Sequence, residues 1–593
     1  METTEVVIVG AGPSGLTLAL SLAKFKIKSV ILEKETEITL DPRGVSLNHD
    51  AIRILWNLGI GDQMKDIGPV MELVNFHKSS FAQKPFYTVD TSQDAAQQTL
   101  PNYIIQVQPT LELVLQKKVE ESPFCDLRRG CTVEGRDQLD TKVDVRYKDK
   151  SGESRSVRGS WLVGADGKRG VVRKKFLEPS AGVKQVDSSY KYEGTWVAAN
   201  LKINLPTPKT HPKFPLWGYG YTPEGVYDLF WPKGWHFCSP PGKPTATGRF
   251  GPHELRYWRH EFAQNDWDDS MNSEDLLWEH ITPMITLKED RDVGAFACGE
   301  VTYPRDCIEI HRCRPFRFAH KVVNKWFDNR TILIGDAAHV FPPFGGQGVG
   351  CGLRDAYELG WRLLALQRLP SVDRALCDRA LGAWAEERVQ GVKDAAATTE
   401  INGHMCNEGG MPSSTDPFPT FETRGYKPAK DGFFLATFGG GGRLAQIYVQ
   451  SRNQSPILSD RLLSQDSAAM TVLVIARDAD PSRLLDEAKA AIGGSNIDPS
   501  ILSEHSIKVF SPAQDIADGA KIEVYSPVSQ ENLSSAGIHV PTTYNASDYL
   551  SRFEPDTKFV IARPDLYIFA LAKDSTELAE CLAVLQRRLS PPA

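Results

Sequence analysis

The chain has 593 residues, of which 41% are hydrophobic and 24% charged, with a formal net charge of −7. That length exceeds what one hydrophobic core serves, so two or three domains are expected, and the acidic balance argues against a dedicated nucleic-acid or anionic-membrane surface. No membrane span is expected: the best apolar stretch, 6–22, is broken by three glycines and Pro13.

In chain order, VVIV at 6–9 reads as a buried strand, 13–25 as a helix and SVILE at 29–33 as a second strand. A strand beginning by Thr4 leaves no room for a signal peptide, which points to the cytosol. Gly10, Gly12 and Gly15 form G-x-G-x-x-G directly after the first strand, with Pro13 and Ser14 inside the motif. Gly10 permits the tight turn, Gly12 lets backbone approach a pyrophosphate, and Gly15 lets helix and strand pack closely. The helix N-terminus offers free N–H groups to phosphate. Glu33 ends the second strand, where its carboxylate can accept hydrogen bonds from ribose hydroxyls, with Lys34 beside it. This fingerprint does not separate NAD from FAD.

From 186 to 298 the segments become strand-like and rich in aromatics and proline, including GTWVAANLKI, VYDLFW and GWHFCS. A second glycine-rich motif follows the apolar strand TILI: GDAAHVFPPFGGQGVGCGLRDA at 335–356. After Gly335, Asp336 can bind ribityl hydroxyls, and Pro342 and Pro343 can wall a ring. Gly345, Gly346 and Gly348, with Val349, can turn N–H groups at a helix start toward the flavin N1 and C2 carbonyl. Helical signal runs from 352 to about 399, 403–432 reads as a linker, and 433–593 shows a further α/β pattern. The ten cysteines include no C-x-x-C pair, and no His or carboxylate pair shows ligand spacing, so neither a metal site nor a dithiol centre is expected.

The 335–356 motif resembles the FAD-binding GD motif of the aromatic-ring flavoprotein hydroxylases, the family of p-hydroxybenzoate and phenol hydroxylases. WLVGADGKRGVVR at 161–173 is similar to that family's DG motif and implies that Asp166 and Gly167 lie near the nucleotide. PRG at 42–44 and VQPTLE at 107–112 are similar to two further segments, implying FAD contacts for Arg43 and Gln108. The nearest subgroup is the 3-hydroxyphenylpropionate and resorcinol hydroxylase type. Gly350, Gly170 and Ala319 depart from its usual residues.

The resemblance implies an α/β fold: a Rossmann-like FAD-binding domain (1–185 and 299–402), an inserted β-sheet substrate domain (186–298, with part of 72–105 able to join it) and a thioredoxin-like domain (433–593). It implies a single-component monooxygenase using FAD, NADPH or NADH, and O2, which hydroxylates a small aromatic substrate through a flavin C4a-hydroperoxide. A homodimer follows from it too, with neither nucleic acid nor membrane as partner. Baeyer–Villiger oxidation or epoxidation on the same fold, and a non-catalytic nucleotide-binding protein, stay open. The cofactor does most of the chemistry; the side chains suited to handling a substrate proton are Asn48, His49, Tyr227 and His236, His49 because imidazole titrates near neutral pH. Cys581 is the only cysteine of the last domain, which rules out dithiol exchange within it.

Overall fold

A computed structural model describes residues 1–40, 44–93, 97–188, 191–290, 294–411, 429–452, 454–463, 468–477, 479–512 and 522–590. VVIV is buried along its whole length, as a strand covered on both faces must be. It lies fourth in a six-stranded sheet in the order Phe327–Asp328, Thr331–Leu333, Trp161–Gly164, Val6–Val9, Ser29–Glu33, Cys125–Arg129. All pairings are parallel except that of the short edge strand Phe327–Asp328.

The first helix, Pro13–Lys24, packs against the long helix Gln347–Arg368. Small residues allow the approach: a Cβ on Gly352 would stand 2.1 Å from Ser14 Oγ, and one on Gly360 2.9 Å from Ser21 Cβ. The two glycine-rich motifs, more than 300 residues apart, are thereby brought side by side.

A seven-stranded sheet runs Ile308–Ala319, Glu193–Ile203, Tyr257–Ala263, Thr245–Phe250, Trp235–Cys238, Leu73–His77, Tyr87–Asp90. Two of its strands come from the 72–105 region. The expected boundary at 298 falls short, because Ile308–Ala319 pairs along the length of Glu193–Ile203 and extends the sheet to Ala319. VYDLFW is not a strand: Thr222 caps a helix, Pro223–Phe230, by accepting from Gly225 N–H, Pro223 occupies its first turn, and Val226, Tyr227 and Phe230 share its buried face. The helical signal expected to fade near 399 resolves into Gln347–Arg368 and Arg374–Glu408, so the first residues of the expected linker are helical; 412–428 lie outside the described residues.

The C-terminal sheet is built around Ile507–Phe510, Thr471–Ile475, Phe559–Ala562 and Ile568–Ala572, adjacent in that order. The first pair is parallel and the next two antiparallel. Helices Pro481–Gly493 and Ser575–Arg588 pack with it. No helix among the described residues is long and apolar enough to cross a membrane.

Candidate active site

Gly10 adopts φ +103°, and a Cβ there would stand 2.4 Å from the Ala165 carbonyl oxygen; one on Gly15 would stand 2.1 Å from that of Gly10. Only glycine fits either place. At Gly12 the space is open, with nothing within 4 Å. No side chain caps the helix that begins at Pro13, which leaves its first N–H groups facing that opening. Glu33 Oε2 accepts from Ala11 N–H at 2.7 Å and Oε1 from Glu35 N–H at 2.9 Å, so the acid is fixed at the loop with lone pairs to spare. Lys34 instead points to solvent beside Glu35.

The 161–173 segment abuts this loop. Asp166 Oδ2 accepts from Val172 N–H at 3.0 Å, while its buried Oδ1 has no hydrogen-bond partner. Burial pushes the Asp166 carboxyl up to about 6. Gly170, one of the departures, is explained here, since a Cβ on it would stand 2.0 Å from Asp166 Oδ1. Gly167 adopts φ +78° in open space.

Gly335, at φ +60°, leaves room for Ser14 Oγ, which a Cβ would approach to 2.5 Å. Asp355 holds this turn: Oδ2 accepts from Gly335 N–H at 2.8 Å and bonds His339 Nε2 at 2.7 Å, and Oδ1 accepts from Arg388 Nε at 2.7 Å. His339 is thus held within the turn's own hydrogen-bond network. Asp336 stands exposed at the turn, on the side of Lys168. Pro343 opens a 3-10 turn, Gly346 (φ +61°) precedes the long helix without a side-chain cap, and Gly348 faces open space.

Gly44, Gln106, Gln108 and Val349 converge on one spot. Gln108 Oε1 accepts from Gly44 N–H at 2.8 Å, and a Cβ on Gly44 would meet Val349 Cγ2 at 2.8 Å and Gln106 Nε2 at 3.6 Å. Gln106, which sequence reasoning missed, is fully buried with neither amide atom hydrogen-bonded. Arg43 lies outside the described residues. Asn48 is buried, donating to Gln347 Oε1 at 3.1 Å and accepting from Arg354 at 3.2 Å. A Cβ on Gly350 would stand 2.6 Å from Asn48 Oδ1, which accounts for that departure as well. The buried His49 ring lies edge-on to Tyr103, with centroids 4.7 Å apart.

Strand alternation divides the seven-stranded sheet. Trp196, Trp235, Phe237 and Phe250 pack with Val107 and with Phe344 of the second motif. The opposite face carries Val197, Trp258 and Phe262, covered by the helices Pro223–Phe230 and Ser273–Ile281. His236 belongs to that far face: it stacks on Trp258 and bonds His77 at 3.0 Å. Tyr227 is there too, with Arg249 over its ring at 4.1 Å. Neither candidate reaches the motif side.

The motif-side face instead presents three buried polar groups that the sequence did not mark. Arg259 pairs with Glu261 at 2.6 Å, and Asn200 is 3% exposed with neither side-chain atom hydrogen-bonded. Strand register places Asn200 opposite Arg259 and Arg312. An unpaired buried amide costs about 1–3 kcal/mol, which a bound polar group would offset. Among the described residues, the one group with metal-like convergence is His211 with the adjacent pair Asp306 and Cys307. Its His211–Asp306 contact of 3.2 Å is an ordinary hydrogen bond on an exposed carboxylate.

The residues fit a dinucleotide: open space before an uncapped helix, an anchored acid, and unpaired Gln106 and Asp166 atoms beyond it. Fold and site define a nucleotide-binding α/β protein of the Rossmann type. The chain belongs to the FAD-binding-domain family, which it matches over residues 3–376. It is 26% identical, over 100% of its own length and 96% of the relative's, to a probable NADH-specific resorcinol 4-hydroxylase of Rhodococcus jostii (strain RHA1). It is 24% identical, over 68% of its length and 56% of the relative's, to a 3-(3-hydroxy-phenyl)propionate/3-hydroxycinnamic acid hydroxylase of Paraburkholderia xenovorans (strain LB400). In fold it is similar to aklavinone-11 hydroxylase, solved with FAD and aklavinone (TM-score 0.71, 18% identity, 99% of both chains). It is also similar to the flavin-dependent monooxygenase PieE, solved with FAD and substrate (TM-score 0.70, 17% identity, 100% of this chain and 99% of that one).

Proposed function

We propose that this chain is an FAD-dependent monooxygenase that uses NADH and O2 to hydroxylate a small phenolic substrate. The observation that carries the reading is the convergence of both glycine-rich motifs and the Gly44–Gln106–Gln108–Val349 spot on the side of the sheet face formed by Trp196, Trp235, Phe237 and Phe250. The names of the two relatives support the phenolic substrate, and that of the first supports NADH.

When bound, FAD supplies hydride acceptance and O2 activation. The chain's own residues do the rest. The helix N-termini at Pro13 and Gln347 would hold the pyrophosphate and the flavin, Glu33 the ribose and Asp336 the ribityl chain. Gln106 and Gln108 would hydrogen-bond the flavin. The aromatic face excludes water and packs the substrate ring, and Asn200 with Arg259 hydrogen-bonds its hydroxyl. His49, rather than His236 or Tyr227, remains the candidate base.

The C-terminal part is a thioredoxin-like module; the strand order and directions around Thr471–Ile475 support this, and its lone buried Cys581 makes it redox-silent. A cytosolic homodimer rests on the family resemblance alone, and a monomer in sedimentation at micromolar concentration would remove the dimer. The function is tested by anaerobic stopped-flow reduction of the FAD-loaded protein with NADH across a phenol panel. A true substrate should accelerate reduction at least about tenfold, roughly 1.4 kcal/mol in barrier; no acceleration by any phenol contradicts substrate-controlled reduction.

A further inference from the structure

The last turns of the helix Arg374–Glu408 lie against both halves of the candidate site. On one side Thr399 and Asn402 meet the second glycine-rich motif. Asn402 Nδ2 donates to the Phe344 carbonyl at 2.9 Å, and a Cβ on Gly345 would stand 2.7 Å from Thr399 Oγ1. On the other side Met405 and Cys406 pack with the sheet face formed by Trp196, Trp235 and Phe237, and Ser239 Oγ donates to the Cys406 carbonyl at 2.6 Å. Asn402 and Gly403 stand in succession inside the helix, and both are poor helix formers, so helix propensity does not account for the amide.

The amide acts on a peptide that serves both parts of the site. The Phe344 ring is fully buried and lies edge-on to Tyr192 and Trp196, at centroid distances of 5.2 and 5.4 Å. Its carbonyl is taken up by Asn402, and the next carbonyl, that of Gly345, accepts from Gln347 Nε2 at 2.8 Å. Two successive peptide planes are therefore held by side-chain amides. In a trans peptide the N–H points opposite to the C=O. Holding the two carbonyls thus directs the Gly345 N–H away from Asn402 and the Gly346 N–H away from Gln347. Gln347 is itself fixed by Asn48, whose Nδ2 donates to its Oε1. Consecutive glycines give these planes little resistance of their own to turning, so the side-chain bonds set their orientation.

We propose that Asn402 is a positioning residue: by holding the Phe344 carbonyl it sets the Phe344–Gly345 peptide, so that the Gly345 N–H is presented to the flavin and the Phe344 ring stays in the wall against which the substrate packs. The inference rests on the FAD placement given above. The donor is what matters. An acceptor of the same shape would set one oxygen against another and turn the plane, whereas a donor of similar reach would keep it.

The test uses the full-length protein and reads the FAD dissociation constant by flavin fluorescence, the melting temperature, and the product formed per NADH consumed with a phenol that the wild-type protein turns over. Asn402→Asp should raise the FAD dissociation constant roughly three- to tenfold, the worth of one hydrogen bond. It should also lower product per NADH at least about twofold, with the difference appearing as hydrogen peroxide. Asn402→Gln should restore most of both. Asn402→Leu, which lacks a donor and carries no charge, should behave as the Asp variant does and serves as the second arm should that variant not fold. Ser239→Ala loosens the helix end without touching the peptide; it should lower the melting temperature and leave FAD binding and product per NADH alone. Donor-less variants that keep the wild-type FAD dissociation constant and product yield overturn this inference only, whatever their melting temperature. A Ser239→Ala protein that loses both as strongly would assign the effect to helix docking and overturn it too. A wild-type protein that retains no FAD overturns the site reading and this inference with it.

Discussion

Gln106 shows what residue identity alone does not reveal. Its neighbour Gln108 stands in a segment that resembles a family motif, whereas an amide without partners becomes visible only once Gly44 and Val349 are folded around it. If the unpaired amide is kept for FAD, Gln106→Leu should raise the melting temperature of the apoprotein, by relieving about 1–3 kcal/mol of desolvation, while weakening FAD binding. A variant that lowers both would show Gln106 to be ordinary packing. The glycines, by contrast, were legible, because Gly10 and Gly15 answer to backbone approaches that no other residue permits. Gly170 belongs with them but departs from the family pattern, and its reason, the Asp166 carboxylate, lies in the fold. Gly170→Ala should destabilise by about 1–3 kcal/mol through overpacking, read as a lowered urea midpoint; an unchanged midpoint would mean that the loop yields freely.

At the scale of elements, strand parity decided which aromatic and histidine side chains face the motifs. The sequence marks the layer as rich in aromatics, yet with neither pairing register nor knowledge of which face is covered, it does not show that His236 points away from the motifs while its neighbour Trp235 points toward them. VYDLFW was misread because its aromatic content outweighed the Thr-Pro-Glu helix start before it. The far face also buries a second histidine pair: His260 Nε2 meets His280 Nδ1 at 2.9 Å, and Thr247 and Thr245 bond their other nitrogens. Burial holds His260 well below its ordinary value and, with Lys243 adding to the effect, His280 down to about 4. Both rings are therefore neutral in the folded chain, while the unfolded chain takes up protons as pH falls below about 6.5. Their contribution to stability is present above that value and is lost as pH falls toward 4, on the order of 2–3 kcal/mol for His280. Urea midpoints at pH 7.5, 6 and 5 should fall in that order, less steeply in His280→Gln; equal slopes in the two proteins would assign the acid loss to other groups.

Across the whole molecule, the order of motifs along the chain was legible, and so was the α/β character of both ends. What was hidden is how they are joined: Asp50–Arg443, Arg53–Asp460 and Glu387–Arg563 are pairs between residues 170 to 410 positions apart, and nothing in local sequence marks a partner at that distance. These buried pairs tie the C-terminal part to the nucleotide-binding part by charge. Cys581 is buried, with its thiol pushed up to about 12, so Cys581→Ser should leave turnover intact; a large fall in rate would restore a redox role. The central claim, that one atom of O2 enters a phenolic ring, is tested most directly by turnover under 18O2 with NADH and a resorcinol-type phenol, followed by mass spectrometry of the product. The account predicts a hydroxylated ring carrying one 18O for each NADH consumed in product formation. NADH consumption that yields only hydrogen peroxide across the panel, or a product whose new oxygen comes from water, would contradict it.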